Sequence, residues 1–137
     1  MKRLGIYFFF DKDGIVDKYV DYVLEDLTKH VDKLIVVCNG QLNERGRKTF
    51  EKFTGNIIVR ENKGFDVWAY KTAIDSEGWN KLIEYDEIIL MNYTIMGPVY
   101  PLKEMFDIMD KRLELDFWGI TKCFQENSPV AQQIWQC

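Results

Sequence analysis

The chain has 137 residues, of which 47% are hydrophobic and 15% aromatic, and its formal net charge is -4. This length suffices for one domain with a single core, and the composition is typical of a globular protein rather than a disordered one. The negative charge and the absence of a block of lysine and arginine argue against a nucleic-acid partner. The sequence contains no run of about eighteen apolar residues, so it predicts no membrane-spanning helix.

The three cysteines, Cys38, Cys123 and Cys137, are odd in number and far apart along the chain. This spacing is typical of neither a disulfide framework nor a metal site, so it favours a reducing compartment and predicts a cytoplasmic protein. Cys38 falls within an apolar run, and we therefore expect a buried, unreactive thiol.

Short apolar runs alternate with segments of helical periodicity. Residues 3–10 form a run rich in Phe that predicts a strand buried on both faces. Apolar residues at steps of three and four between Val16 and Val31 predict the helix that follows. Further strands are predicted at residues 34–38, 56–59, 87–91 and 116–120, and further helices at residues 43–53, 64–75 and 102–109.

This alternation predicts an α/β fold with three layers, in which helices cover both faces of a mostly parallel, Rossmann-like central sheet. Ligands of such sheets bind in the crevice beyond the carboxyl ends of the strands. The candidate binding residues are therefore those that directly follow the predicted strands, namely Asp11, Asp13, Asn39, residues 61–66 and residues 92–94.

The sequence Asp11-Lys12-Asp13-Gly14 resembles the nucleophile motif of the haloacid dehalogenase phosphatases, although Ile15 stands where that motif has Thr. Such a phosphatase also needs a Ser or Thr after the second core strand and carboxylates after the fourth strand to hold Mg²⁺. Those strands are followed here by Asn39 and Asn92, so the phosphatase interpretation is disfavoured. The simpler alternative is a turn in which Asp13 caps the following helix.

Residues 60–74, with the sequence RENKGFDVWAYKTAI, combine a turn with a polar start of a helix. Asn62 and Gly64 suit a tight turn with positive φ, and Gly lets a ligand approach the backbone closely. Asp66 lies in the first turn of the predicted helix, where the helix dipole stabilises a negative charge, and this stabilisation alone would explain its presence. The alternative is a surface that hydrogen-bonds a base or ribose and neutralises a diphosphate, formed by Asn62, Asp66, Tyr70 and Lys71.

Five segments resemble the rhamnan synthesis protein F family of bacterial cell-surface polysaccharide biosynthesis, and they follow in the family's order. They are KRLGIYFFFDKDGIVDKYV, LIVVCNG, IIVRENKGFDVWAYKTAI, EYDEIILMNYTIMGPVYP and DFWGIT. The resemblance implies a GT-A-like glycosyltransferase domain that binds a nucleotide-activated L-rhamnose such as dTDP-L-rhamnose. It also implies rhamnosyl transfer to a lipid-linked polysaccharide acceptor at the inner face of the cell membrane. Assembly as a homo-oligomer or with a partner transferase is left open.

The resemblance places the donor base near Asp11 and Asp13, the ribose near residues 62–66 and the diphosphate near residues 92–94. No catalytic base is assigned. The candidate donor-binding residues are Asp11, Asp13, Asn39, Asn62, Gly64, Asp66, Tyr70, Lys71, Asn92 and Thr94.

The triplet Asn92-Tyr93-Thr94 departs from the family pattern, which has Asn-Asp-Ser after the fourth strand. GT-A transferases carry an Asp-x-Asp at this position, whose carboxylates hold Mg²⁺ or Mn²⁺ against the donor diphosphate. Tyr93 is a poor ligand for either ion, and Asn92 and Thr94 supply only neutral oxygens. The sequence therefore argues against a divalent metal here, and we assign no metal ligand.

The tryptophans are expected to pack mainly in the core. Trp68 stands where the family has Gly, so that its indole would either crowd the donor or pack inside the protein. Stacking on a sugar or base is the alternative for Trp79 and Trp118, because the sequence does not separate stacking from packing.

The resemblance also implies that the acceptor site and its catalytic carboxylate belong to parts of the fold beyond about residue 121. We therefore expect an incomplete GT-A-like domain at residues 1–121 and an irregular tail at residues 122–137. The protein would then be a truncated or divergent member of the family. The functional alternatives are a transferase and a catalytically inactive binding or scaffold domain of the same fold.

Overall fold

The computed structural model describes residues 1–120 of the chain. These residues form four strands, β1 (Arg3–Asp11), β2 (Lys33–Gly40), β3 (Ile57–Arg60) and β4 (Glu87–Asn92). The helices are α1 (Lys18–Leu27), α2 (Glu44–Glu51), α3 (Phe65–Glu77), α4 (Trp79–Leu82) and α5 (Leu102–Met109). Among residues 1–120, no helix combines the length and the apolar character needed to cross a membrane.

The four strands form an all-parallel sheet in the order β3-β2-β1-β4. Because every strand runs in the same direction, the carboxyl ends of all four lie at one edge of the sheet, which we call the carboxyl edge. The opposite side, where the strands begin, is the amino edge. The pairing places Asp11 beside Gly40 and Asn39 beside Arg60 at the carboxyl edge.

Helices pack on both faces of the sheet, which confirms the predicted three-layer α/β/α fold. Alternate residues of β1 and β2 point to opposite faces and form two core clusters. One cluster joins Tyr7 and Phe9 to the apolar side of α1 and to Phe50 of α2. The other joins the opposite face to α3, whose small residues Ala69 and Ala73 are completely buried.

Cys38 lies in the interior of β2 and is completely buried. Burial raises the pKa of its thiol to about 12, because the thiolate would lose its hydration there. The thiol is therefore protonated at neutral pH, as the sequence predicts. Cys123 and Cys137 lie outside the described residues, as does the predicted tail at residues 122–137, and the domain boundary at residue 121 stays a prediction.

The predicted strand at residues 116–120 is wrong, because these residues have no strand structure and do not join the sheet. Phe117 is largely exposed, and the segment is held instead through the side chain of Trp118. The indole of Trp118 donates a hydrogen bond to Glu87 at the start of β4. Within residues 1–120, the sheet therefore ends at β4 on this side.

The helix α5 is attached near the amino edge through Phe106, which is 2% exposed. The ring of Phe106 stacks on His30 with centroids 4.9 Å apart and meets Trp118 edge-on at 5.8 Å. The guanidinium of Arg3 lies 4.6 Å from the centre of the same ring. Arg3 also donates to Glu87 at 2.6 Å and pairs with Asp110, so that this cluster joins α5 to β1 and β4.

Candidate functional site

A buried asparagine connects three elements at the carboxyl edge. Asn39, near the end of β2, is completely buried, and its side-chain oxygen accepts a hydrogen bond of 2.7 Å from Nη1 of Arg60. Its Nδ2 donates to the backbone oxygen of Phe65 at 3.2 Å and lies 3.4 Å from Oδ1 of Asn62. Asn39 therefore holds the end of β3 and the start of α3 together, and its burial suits a positioning role.

The turn before α3 has an unusual backbone. Gly64 and Phe65 have φ angles of 72° and 52°, and both lie in the left-handed region. This conformation costs a residue with a side chain about 1–2 kcal/mol, and the bond from buried Asn39 helps to hold it at Phe65. A side chain at Gly64 would collide with the indole of Trp68, since an added Cβ would lie 2.1 Å from Cδ1.

The start of α3 is also joined to the end of β4. Asp66 accepts a hydrogen bond of 2.9 Å from the backbone N–H of Val67 and one of 3.2 Å from Nδ2 of Asn92. The side-chain oxygen of Asn92 accepts from the backbone N–H of Thr94 at 3.0 Å. We call the resulting set the strand-end network, which consists of Asn39, Arg60, Asn62, Asp66, Asn92 and Thr94.

Asp11 and Asp13 lie at the same edge, but they shape their own loop. The carboxylate of Asp11 accepts from the backbone N–H groups of Asp13 and Ile15 at 2.9 and 2.8 Å. Asp13 is exposed, with its carboxylate 3.7 Å from the ammonium group of Lys12. The predicted cap by Asp13 is wrong, because α1 begins later in the chain and its N-cap residue is Asp17.

Tyr70 and Lys71 lie outside the hydrogen bonds of the strand-end network. The ring of Tyr70 packs edge-on against Phe8, with centroids 6.4 Å apart, and burial raises the pKa of the phenol well above its ordinary value. Lys71 is exposed and pairs with Asp75 one helical turn further along α3. In the structure, Tyr70 therefore packs against an aromatic ring, and the ammonium group of Lys71 pairs with a carboxylate.

Three residues at this edge are absent from the donor-binding residues selected from the sequence, although Phe65 lies within the candidate range 61–66. Arg60 directly follows the strand predicted at residues 56–59, but its contact with Asn39 depends on strand pairing. Phe65 and Trp68 flank Asp66 and are 81% and 52% exposed, so that Trp68 is not a core residue. Trp79 is also exposed, contrary to expectation, because α4 is a single turn that buries Leu82.

The position of Trp118 separates it from the strand-end network. Its indole donates to Glu87, the first residue of β4, at the amino edge. The strand-end network lies at the carboxyl edge, at the other end of the same strand. Stacking of Trp118 on a ligand at the carboxyl edge is therefore ruled out by the direction of β4.

The donor set at Asn92–Thr94 does not fit the divalent metal that a GT-A fold implies. Mg²⁺ and Mn²⁺ favour carboxylate oxygens, and Asp66 is the only carboxylate that the strand-end network contains. The ring of Tyr93 packs against Phe8 and Phe9, with centroids 5.6 and 5.7 Å away. Within residues 1–120, no three His, Cys, Asp or Glu side chains are placed to hold a metal ion together.

The fold and the site define a Rossmann-like α/β protein with a polar network at the edge where such sheets bind their ligands. The chain belongs to the rhamnan synthesis protein F (RgpF) family, whose model matches residues 34–135. This match confirms the resemblance and connects the protein with rhamnan synthesis, a form of polysaccharide biosynthesis. It includes the whole strand-end network, whereas Asp11 and Asp13 precede it. No curated protein and no solved structure matches the chain significantly.

Proposed function

We propose that the carboxyl edge binds a nucleotide-activated L-rhamnose such as dTDP-L-rhamnose, as the donor-binding part of a GT-A-like glycosyltransferase. The observation that carries the proposal is the strand-end network, which joins three strand ends and the start of α3 in a member of a rhamnan synthesis family. Polar groups at this edge of a parallel sheet are suited to the ribose and phosphates of a nucleotide.

The network and the side chains around it offer contacts for each part of the donor. Asn62, Asp66, Asn92 and Thr94 offer hydrogen-bonding groups for the ribose and the diphosphate in this proposal. The exposed rings of Phe65 and Trp68 supply flat apolar surfaces on which a base or sugar can stack. Asp11 and Asp13 border the same edge and would contact the base.

The reaction that this site would serve is rhamnosyl transfer. The hydroxyl oxygen of the acceptor forms a bond to the anomeric carbon of rhamnose, while the bond from that carbon to the diphosphate oxygen breaks. The hydroxyl proton passes to a base, and dTDP leaves with the bonding electrons. By the family resemblance, the acceptor is a lipid-linked polysaccharide and the protein acts in the cytoplasm at the inner membrane face.

The second candidate is a catalytically inactive domain that binds the nucleotide sugar or a partner transferase. The observation that favours it is the triplet Asn92-Tyr93-Thr94, which supplies no carboxylate where GT-A enzymes place their metal ligands. Such a domain would retain the donor without breaking its glycosidic bond. Both candidates use the same binding site, so that they differ in turnover rather than in affinity.

The test of donor binding compares Asn92→Ala with Asn80→Ala by isothermal titration calorimetry with dTDP-L-rhamnose. Asn92→Ala removes the bonds to Asp66 and to the N–H of Thr94, and we expect it to weaken binding about tenfold. Asn80 is an exposed residue of α4, so its truncation should leave the affinity unchanged. Wild-type protein that does not bind the nucleotide sugar would contradict the proposal.

Turnover separates the two candidates once binding is established. Release of dTDP from dTDP-L-rhamnose in the presence of a lipid-linked acceptor, or slow hydrolysis without it, would support the transferase. Tight binding with neither product after many hours would support the inactive domain.

A further inference from the structure

We propose that Arg60 is the phosphate-binding cation of the carboxyl edge, so that the donor phosphates lie at the end of β3, beside Asn39, rather than at Asn92–Thr94. The inference rests on the proposed function, and it names the group that would neutralise the negative charge of the donor diphosphate. The metal ligands expected of a GT-A fold do not fit at Asn92–Thr94, and β4 lies at the opposite side of the sheet from β3. A diphosphate at the carboxyl edge therefore needs a source of positive charge other than a metal ion at the end of β4. Arginine suits this role, because its planar guanidinium binds phosphate oxygens in pairs.

The guanidinium of Arg60 is held in place by uncharged groups. Its Nη1 donates to Oδ1 of buried Asn39 at 2.7 Å and to the backbone oxygen of Lys63 at 3.0 Å. Both bonds use the same nitrogen, and Nη2 and Nε form no hydrogen bond with any other part of residues 1–120. A fork fixed at one nitrogen and open at the others is prepared for an anionic ligand, because little side-chain freedom is lost on binding.

The positive charge of Arg60 is not neutralised by a neighbouring carboxylate. Arg60 makes no ion pair within the described part of the chain, and Asp66 instead accepts hydrogen bonds from Val67 and Asn92. Glu61 follows Arg60 in sequence and is exposed, but it also forms no ion pair with a described residue. The amino end of α3 lies at the same edge and adds to the positive potential.

Other cations near the carboxyl edge are less suited to this role. Lys12 lies 3.7 Å from Asp13, and its side chain is 83% exposed. Lys71, which the sequence suggests for the diphosphate, pairs with Asp75. Lys63 is exposed and adjoins the guanidinium through its backbone oxygen, so that it can add charge at the rim without being fixed.

The experiment titrates wild-type protein, Arg60→Gln and Arg112→Gln with inorganic pyrophosphate, dTDP and thymidine, each in EDTA and in Mn²⁺. We expect pyrophosphate and dTDP to bind the wild-type protein in EDTA and Arg60→Gln to weaken both about tenfold or more. Thymidine has no phosphate, so its affinity should not change. Arg112→Gln removes the same charge at an exposed position paired with Glu114, and it should behave as wild type.

Two results would overturn the inference: binding of pyrophosphate only when Mn²⁺ is present, or equal affinity of wild-type protein and Arg60→Gln. These results leave the proposed function intact if dTDP-L-rhamnose still binds. Conversely, pyrophosphate binding that depends on Arg60, with no additional affinity for dTDP-L-rhamnose, would end the proposed function and retain the anion site.

Because Arg60 contacts a buried residue, Arg60→Gln has to be checked for folding by its thermal transition. A measurement on the wild-type protein tests the same contact without relying on the folding of a variant. The side-chain Nε–H signal of Arg60 in an NMR spectrum should shift during titration with pyrophosphate in EDTA. A signal that stays unchanged at saturation would contradict direct contact between the guanidinium and the anion.

Discussion

Glu77 shows how a single charge can be accommodated inside this small protein. It lies at the end of α3 with 7% of its surface exposed, pairs with Lys33 and accepts a hydrogen bond of 2.9 Å from the hydroxyl of Tyr85. The hydrogen bond from Lys33 is the main cause of a lowered pKa for the Glu77 carboxyl, and it outweighs the opposing effect of burial. Burial and the bond to Glu77 raise the pKa of Tyr85 to about 12.

This arrangement predicts acid sensitivity. A carboxyl with a lowered pKa in the folded state stabilises the protein above its pKa in the unfolded state, about 4.3, and the stabilisation is lost as the pH falls through the lower, folded-state pKa. Glu77→Gln should reduce the free energy of unfolding by about 1–3 kcal/mol at neutral pH and by clearly less near about pH 3. Urea unfolding at both pH values measures the difference.

The matched control for this prediction is Glu51→Gln, since Glu51 is exposed at the end of α2. Its free energy of unfolding should stay within about 0.5 kcal/mol of the wild-type value at both pH values. A deficit of Glu77→Gln that is equally large under acidic and neutral conditions would show that lost packing, rather than charge, is responsible.

At the scale of elements, the two ends of the sheet are stabilised differently. The carboxyl edge is joined by hydrogen bonds of the neutral Asn39 amide, one of them from the guanidinium of Arg60, whereas the amino edge is joined by ion pairs of Arg3 with Glu87 and Asp110. The helix α5 depends on the amino edge, because its one fully buried side chain, Phe106, lies against Arg3, His30 and Trp118.

We therefore expect Phe106→Ala to release α5 from the sheet. The loss of a buried aromatic ring costs about 3–5 kcal/mol where the surroundings do not collapse, and part of this cost would appear as local opening of residues 102–118. Hydrogen–deuterium exchange should show faster exchange in α5 than in α3. Ile108→Ala on the exposed side of α5 is the control, with exchange close to wild type. Uniform protection in Phe106→Ala would refute this dependence.

On the scale of the whole molecule, β4 is an edge strand whose side chains the helices within residues 1–120 leave partly exposed. Ile88 and Leu90 of β4 are 38% and 51% exposed, although Leu4 and Ile6 beside them on β1 are fully buried under α3. In the described part of the chain, β4 pairs with β1 alone, so that its outer backbone groups are open to another strand. An apolar, unpaired edge strand promotes association. The strand that the sequence predicts at residues 116–120 does not form, so it does not cover this edge.

Association through β4 is therefore expected at high protein concentration. Leu90→Lys places a charge on the exposed face of the edge strand and should shift the sedimentation profile toward monomer, with little change in the thermal transition. Asn80→Lys adds the same charge on α4 and should associate as the wild-type protein does. Wild-type protein that stays monomeric at all concentrations would contradict the prediction, as would equal association of the two variants.

The local sequence pattern was sufficient to predict the three-layer arrangement and the helices and strands up to α5, except for the single-turn helix α4. Alternation and helical periodicity are properties of neighbouring residues, and parallel strands bring their carboxyl ends to one edge whatever their order. The positions of Asn39, Asp66 and Asn92 at that edge followed from this rule alone. Rhamnan synthesis was indicated by family resemblance rather than by these patterns.

Contacts between distant parts of the chain settled the remaining features. The bond from Arg60 to Asn39, for example, exists because β3 pairs with β2. The sequence pattern of residues 116–120 predicts a strand, but the backbone of these residues does not pair with β4. The segment is held instead by the hydrogen bond from the indole of Trp118 to Glu87. The free energies of such strand pairings and hydrogen bonds depend on which residues are neighbours in the folded structure. The pattern of residues along the sequence does not contain this information.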